Sequence, residues 1–185
     1  DADSFLMVTD SAIIAGAAGL SDLEATISIQ LADKNNNPVA DGTAVSFWTE
    51  HGRIEPQCET RESGCSVTWT SSGAPTDYLT TVLAYTTGVD SFVEIGAEGG
   101  DGRYSIGDII FSHSEIFYDR NYNGIHDPST ETYIDYNGNG QFDAGAYPLY
   151  RGVDCDDTAI AAGHCTETSV QIWDQIQLGY SGDFP

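Results

Sequence analysis

Ala25-Thr-Ile-Ser-Ile-Gln-Leu-Ala-Asp-Lys-Asn-Asn-Asn-Pro-Val-Ala-Asp-Gly-Thr-Ala-Val-Ser-Phe47 is the stretch on which the fold turns. Ala25, Ile27, Ile29 and Leu31 alternate with Thr26, Ser28 and Gln30, the period of two that buries one face of a strand. Turn residues interrupt the chain at Asp33 to Pro38 and again at Asp41-Gly42. Val45 and Phe47 then resume the alternation in a strand over Thr43 to Thr49. The same pattern returns at Ser4 to Val8, Gly64 to Ser71 and Thr80 to Thr87, with a turn at Ser72 to Pro75 and no helical period between. Ser169 to Tyr180 alternates once more through Val170, Ile172, Ile176 and Leu178, and supplies a last strand. Short strands at this spacing predict an all-β sandwich.

Val89 to Thr168 breaks the pattern. This Gly-, Asn- and Asp-rich segment is too long for an ordinary loop, so the expectation is a sandwich over 1-88 and 169-185 with a mostly irregular insertion, 89-168, in its last hairpin. Within the insertion the order ExΦxDxNxNGxxD, Φ being aromatic, occurs twice, from Glu115 to Asp127 and from Glu131 to Asp143. A degenerate copy precedes them: Asp90, Phe92 and Glu94 repeat the acid-x-aromatic-x-acid opening, followed by Glu98, Asp101 and Asp108.

The spacing suits a hard cation. Side chains at loop positions 1, 3 and 5 converge, glycine at 6 permits the sharp turn, a carbonyl serves at 7, and a ligand or water-bridging group serves at 9. In the first loop these are Asp119, Asn121, Asn123, the Ile125 carbonyl and Asp127; in the second, Asp135, Asn137, Asn139, the Gln141 carbonyl and Asp143. Each loop resembles an EF-hand or dockerin-type calcium loop. The bidentate acid of that pattern at position 12 is replaced by Thr130 and Ala146, and flanking amphipathic helices are missing. Glu115 and Glu131, each four residues ahead of a loop, are the expected closing ligands, with Glu131 placed to serve both loops. Neutral Asn at two ligand positions predicts weak sites of the extracellular kind, with dissociation constants of order 10⁻⁴ to 10⁻³ M.

Charge points the same way. Six Lys and Arg stand against 29 Asp and Glu, a formal net charge of -23, which disfavours nucleic acid and anionic membranes and favours cations. With 40% hydrophobic residues the chain still has material for a core, and bound Ca2+ is the natural offset to self-repulsion. The four cysteines form two local pairs, Cys58 with Cys65 and Cys155 with Cys165, whose simplest reading is two disulfides made in an oxidising compartment. Zinc is the weaker reading, since no CxxC spacing is present. The longest apolar run, Ala12 to Ala18, is too short to span a bilayer, so no direct membrane insertion is expected.

The Ala25 to Phe47 stretch, with its DxNxxPV turn and GTxVxF strand, and the strands at Gly64 to Trp69 and Val82 to Tyr85 resemble bacterial Ig-like domains of the invasin and intimin type. The resemblance implies a seven-stranded sandwich serving as a spacer or display module in surface adhesins, and no catalysis. The remaining residues add little to an enzymatic reading. Every close carboxylate pair already has a ligand role, and the four histidines share no metal-binding spacing. Trp48, Trp69 and Trp173 read as core before they read as a sugar platform, and Asp154, Asp156 and Asp157 either complete a calcium site or are solvated. The expected function is a non-enzymatic calcium-binding module, cell-surface or secreted, whose partners are calcium ions and protein: neighbouring modules, copies of itself or a receptor. A self-assembling extracellular filament subunit and a calcium-dependent carbohydrate-binding domain are the alternatives.

Overall fold

The computed structural model describes residues 4–95, 100–145 and 148–182; Glu98 of the degenerate copy and Ala146 of the second loop lie outside the described residues. The chain is mostly β. Its strands are β1 (Phe5–Thr9), β2 (Ile13–Ile14), β3 (Glu24–Leu31), β4 (Ala44–Thr49), β5 (Arg53–Ile54), β6 (Gln57–Glu59), β7 (Gly64–Thr70), β8 (Leu79–Gly88), β9 (Ser91–Val93), β10 (Ile109–Phe111), β11 (Tyr150–Arg151), β12 (Cys165–Thr166) and β13 (Val170–Tyr180), with one short helix, α1 (Asp157–Ala161), before β12. They form a four-stranded sheet in the order β1-β3-β7-β5, a five-stranded sheet in the order β2-β13-β8-β4-β6, and the pairs β9-β10 and β11-β12. Two compact units result: Ser4 to Thr86 with the chain from Trp173 onward, and Thr87 to Ile172.

In the first unit the alternation becomes packing. Ala25, Ile27, Ile29 and Leu31 of β3 are buried while Glu24, Thr26 and Gln30 face solvent, and the register sets Ile29 opposite Met7 of β1 and Cys65 of β7. Val45 and Phe47 of β4, Val67 and Trp69 of β7, and Val82 to Ala84 of β8 complete the core. Trp69 is fully buried; its indole N–H donates to Thr49 Oγ1 and to the His51 carbonyl, each at 3.0 Å, and its ring meets Tyr180 of β13 edge-on at 5.8 Å. Gly52, at φ +87°, is required beside it, because a Cβ there would lie 2.7 Å from the indole. The disulfide Cys58–Cys65 ties β6 of one sheet to β7 of the other. Trp48 departs from the expected core position: it faces outward between Phe47 and Thr49 and is 47% exposed.

The second unit is less irregular than its composition predicts. Tyr104, Ile110, Tyr150, Cys155, Ala159 and Cys165 form a small core against which Phe92 packs. Tyr104 stacks on Tyr150 at 5.0 Å, and the edge of Phe92 meets both rings. The disulfide Cys155–Cys165 closes this core across α1, whose N-terminus is capped by the Asp156 carboxylate. Among the described residues no helix is long and apolar enough to cross a membrane.

Candidate metal centre

The two repeats, related by a shift of 16 residues, are built as a pseudo-twofold pair. Phe117 and Tyr133, equivalent residues, face each other in an antiparallel bridge. On either side the Tyr118 amide donates to the Thr132 carbonyl at 3.0 Å and the Ile134 amide to the Ile116 carbonyl at 2.8 Å, each bond the image of the other. A further equivalent pair, His126 and Phe142 at position 8 of the loops, stacks at 4.2 Å, and each ring meets Phe117 and Tyr133 at 5.3–5.6 Å. This aromatic quartet supplies the pair with an apolar centre. Sequence reading missed the position-8 pair, although aligning the repeats places one ring-bearing residue over the other.

Each loop winds around the carboxylate at its first position. Asp119 accepts from the amides of Asn123 at 3.0 Å and Gly124 at 2.7 Å; Asp135 accepts from those of Gly138, Asn139 and Gly140 at 2.7, 3.1 and 2.8 Å. At positions 3 and 5, Asn121 and Asn123 in one loop and Asn137 and Asn139 in the other each accept from the amide two residues on. The position-6 glycines, Gly124 and Gly140, have φ of 72° and 76°. Position 4 is left-handed as well, relaxed at Gly138 but strained at Tyr122, φ 56°.

The glutamates are exchanged. Glu131, expected to serve the loop it ends and the one it introduces, puts its carboxylate on the Arg120 and Asp127 amides, positions 2 and 9 of the first loop, at 3.0 and 2.9 Å. Glu115, expected to close the first loop, instead accepts from the Tyr136 and Asp143 amides, positions 2 and 9 of the second, at 2.9 and 3.1 Å. Their own amides donate to the Asp127 and Asp143 carbonyls respectively. The position-9 acids differ. Asp143 accepts from the Asn137 and Asn139 side-chain amides, which draws positions 3, 5 and 9 together. Asp127 turns to Ser129, whose hydroxyl and then amide hold its carboxyl below the usual carboxylate range.

The donor set is all oxygen, as a hard cation requires. Each Asn oxygen uses one of two lone pairs on a backbone amide, and among the described residues no donor meets the Ile125 or Gln141 carbonyl. Among the described residues no three His, Cys, Asp or Glu side chains are grouped as a ready metal cage; each loop's candidate set joins three carboxylates to two Asn side-chain oxygens and one backbone carbonyl.

The degenerate copy is different. Asp90, expected to be a ligand, is buried with every lone pair engaged: Arg151 donates from Nε at 2.8 Å, Nη2 at 2.9 Å and its amide at 3.0 Å, and the His113 amide donates at 2.9 Å. It is an ion-pair partner and has no capacity left for a metal. Glu94 accepts from the Gly100 and Gly102 amides, Asp101 from the Arg103 amide, and Asp108 from the amides of Ile95 and Ser105, so these acids order turns. Asp156, thought either ligand or solvated, is a helix cap.

Compared with known protein families, curated proteins and solved structures, the chain matches none.

Proposed function

We propose that the chain is a non-enzymatic calcium-binding module of a bacterial cell-surface or secreted protein, an Ig-like β-sandwich carrying a calcium-ordered insertion. One observation carries the reading: two loops with the DxNxNG order have the same hydrogen-bonded winding around their first carboxylate, related by a 16-residue shift. Turn chemistry alone does not require that repetition. Two disulfides fit an oxidising compartment, and the excess of acid fits an environment where calcium is plentiful. The residues that would hold the ion are Asp119, Asn121, Asn123, Asp127 and Glu131 in one loop and Asp135, Asn137, Asn139, Asp143 and Glu115 in the other. The ion's service is structural: a site held at a hundred times its dissociation constant adds about 2.7 kcal/mol to the folded state. Thermal melts with calcium, magnesium and chelator, joined to native mass spectrometry, test this. Calcium should raise the melting temperature above magnesium and add two ions to the mass; no response in either measurement refutes it.

A second reading, calcium-dependent carbohydrate binding, is supported by a cavity of about 400 Å³ beside the second loop, lined by Glu115, Tyr136, Asn137, Asp143, Arg151 and Gln171 among others. Tyr136 is 63% exposed, and the carboxylates and carboxamides match the hydroxyls of a sugar. A glycan array with and without calcium decides it.

A further inference from the structure

We infer that the two loops exchange their glutamates as closing ligands, so that the repeat pair, and not the single loop, is the unit that takes up calcium. The inference rests on the calcium reading above. Glu115 lies four residues ahead of the first loop, yet its carboxylate is fixed by amides at both ends of the second; Glu131 lies four residues ahead of the second loop and is fixed by amides at both ends of the first. Each carboxylate oxygen spends one lone pair on an amide and keeps another for a cation. The bidentate acid missing from position 12 is therefore replaced in the second loop by Glu115 from across the dyad, and in the first by Glu131, the opening residue of the other repeat, one position past Thr130.

Exchange couples the sites. Ordering the second loop fixes Ile134, whose amide is bonded to Ile116, and fixes Tyr133 against Phe117 and the His126–Phe142 stack. That holds Glu131, two residues before Tyr133, in place for the first loop. The reverse path runs from the first loop through Tyr118, anchored on the Thr132 carbonyl, and Phe117, bridged to Tyr133, to Glu115, two residues before Phe117. Such coupling is reciprocal by linkage, so uptake is positively cooperative.

Calorimetric titration of the whole chain with calcium chloride, with native mass spectrometry to count ions, tests the exchange. The wild type should take two ions along a steep isotherm. Asp135→Ala disables the second loop and should weaken the remaining ion about fivefold or more. On that background Glu131→Gln should weaken it further and Glu115→Gln should leave it unchanged; on an Asp119→Ala background the two glutamines should trade effects. Near-ultraviolet circular dichroism of the aromatic quartet checks that each variant is folded, and Glu131→Asp and Glu115→Asp replace any that is not. If Glu115→Gln weakens the first-loop ion while Glu131→Gln spares it, or if Asp135→Ala leaves the other loop's affinity unchanged, the exchange is overturned. A wild-type chain that takes up no calcium overturns the underlying reading instead, and is recognised before any variant is made.

Discussion

The unit of sheets and the unit from Thr87 to Ile172 bury different chemistry. The first hides Ile27, Ile29, Val45 and Trp69, and the polar side chains it buries, such as Thr60 and Thr80, are uncharged. The second hides Asp90, Asp119 and Glu131 as well, groups that must each be met by donors. Asp90 is met by a guanidinium, and the other two by backbone amides of tight turns. Apolar burial tolerates approximate geometry, whereas a buried carboxylate holds its surroundings to hydrogen-bond distance. The difference teaches why an acid-rich segment of the same chain can be ordered without long strands, and why the proposed cation uptake is assigned to it.

The largest effect should come from the apolar side of this contrast. Trp69→Ala removes a fully buried ring, leaves a cavity and strips the Thr49 and His51 acceptors of their donor. A loss of about 5 kcal/mol is expected in denaturant unfolding. Calcium should not restore it; restoration by calcium would dissolve the distinction between the two regions.

Next comes the polar side. Asp90→Ala leaves Arg151, whose side chain is 24% exposed, without its counter-charge, and should cost about 3–4 kcal/mol. The double change Asp90→Leu with Arg151→Met should cost less than the single one, because both desolvated charges are gone. A double variant that is no more stable than the single would mean that the carboxylate acts through its amide bonds and not through charge.

The two disulfides compare the regions at nearly equal loop length, with sequence separations of 7 and 10. Chain entropy alone gives about 2–3 kcal/mol for either. Cys155 and Cys165 are buried in the small aromatic core, whereas Cys58 and Cys65 are half-buried. Replacing Cys155 and Cys165 by alanine should therefore lower the melting temperature more than the same change at Cys58 and Cys65. Equal losses would show that packing adds nothing to the cross-link.

The sequence carries these two regions unequally. The long strands β1, β3, β4, β7, β8 and β13 are legible because alternation at Ala25 to Leu31 or Val170 to Leu178 is written in side chains that later pack. β2, β5 and β6 are two or three residues long, too short to show a period, and exist because a longer neighbour offers them an edge. In the loops the order of candidate ligands is legible, since it is local. The partner of a glutamate is not: Glu115 reaches Asp143 through register, 28 residues along the chain, and Arg151 finds Asp90 across 61. Spacing reports which groups can converge within a turn and is silent on which turn another segment will close.

The smallest effect probes a cap. Asp156 accepts from the Thr158 hydroxyl and the Ala159 amide at the start of α1, and these bonds, the hydroxyl first, lower its pKa from the ordinary aspartate value. A folded-state pKa below the unfolded one means the unfolded chain binds more protons between the two. The stabilisation is thus fully present above the unfolded value, about 3.9, and is lost as pH falls through the folded value. Asp156→Ala should lower the melting temperature slightly at neutral pH, and by less in strong acid, where the wild type has lost the ionised part of its cap. Asp156→Asn should keep most of the cap, because its amide oxygen still accepts from Ala159, while abolishing this part of the pH dependence. An alanine variant whose deficit is as large in strong acid as at neutral pH would mean that the ionised carboxylate contributes nothing, and would separate α1 from the carboxylate order of the loops.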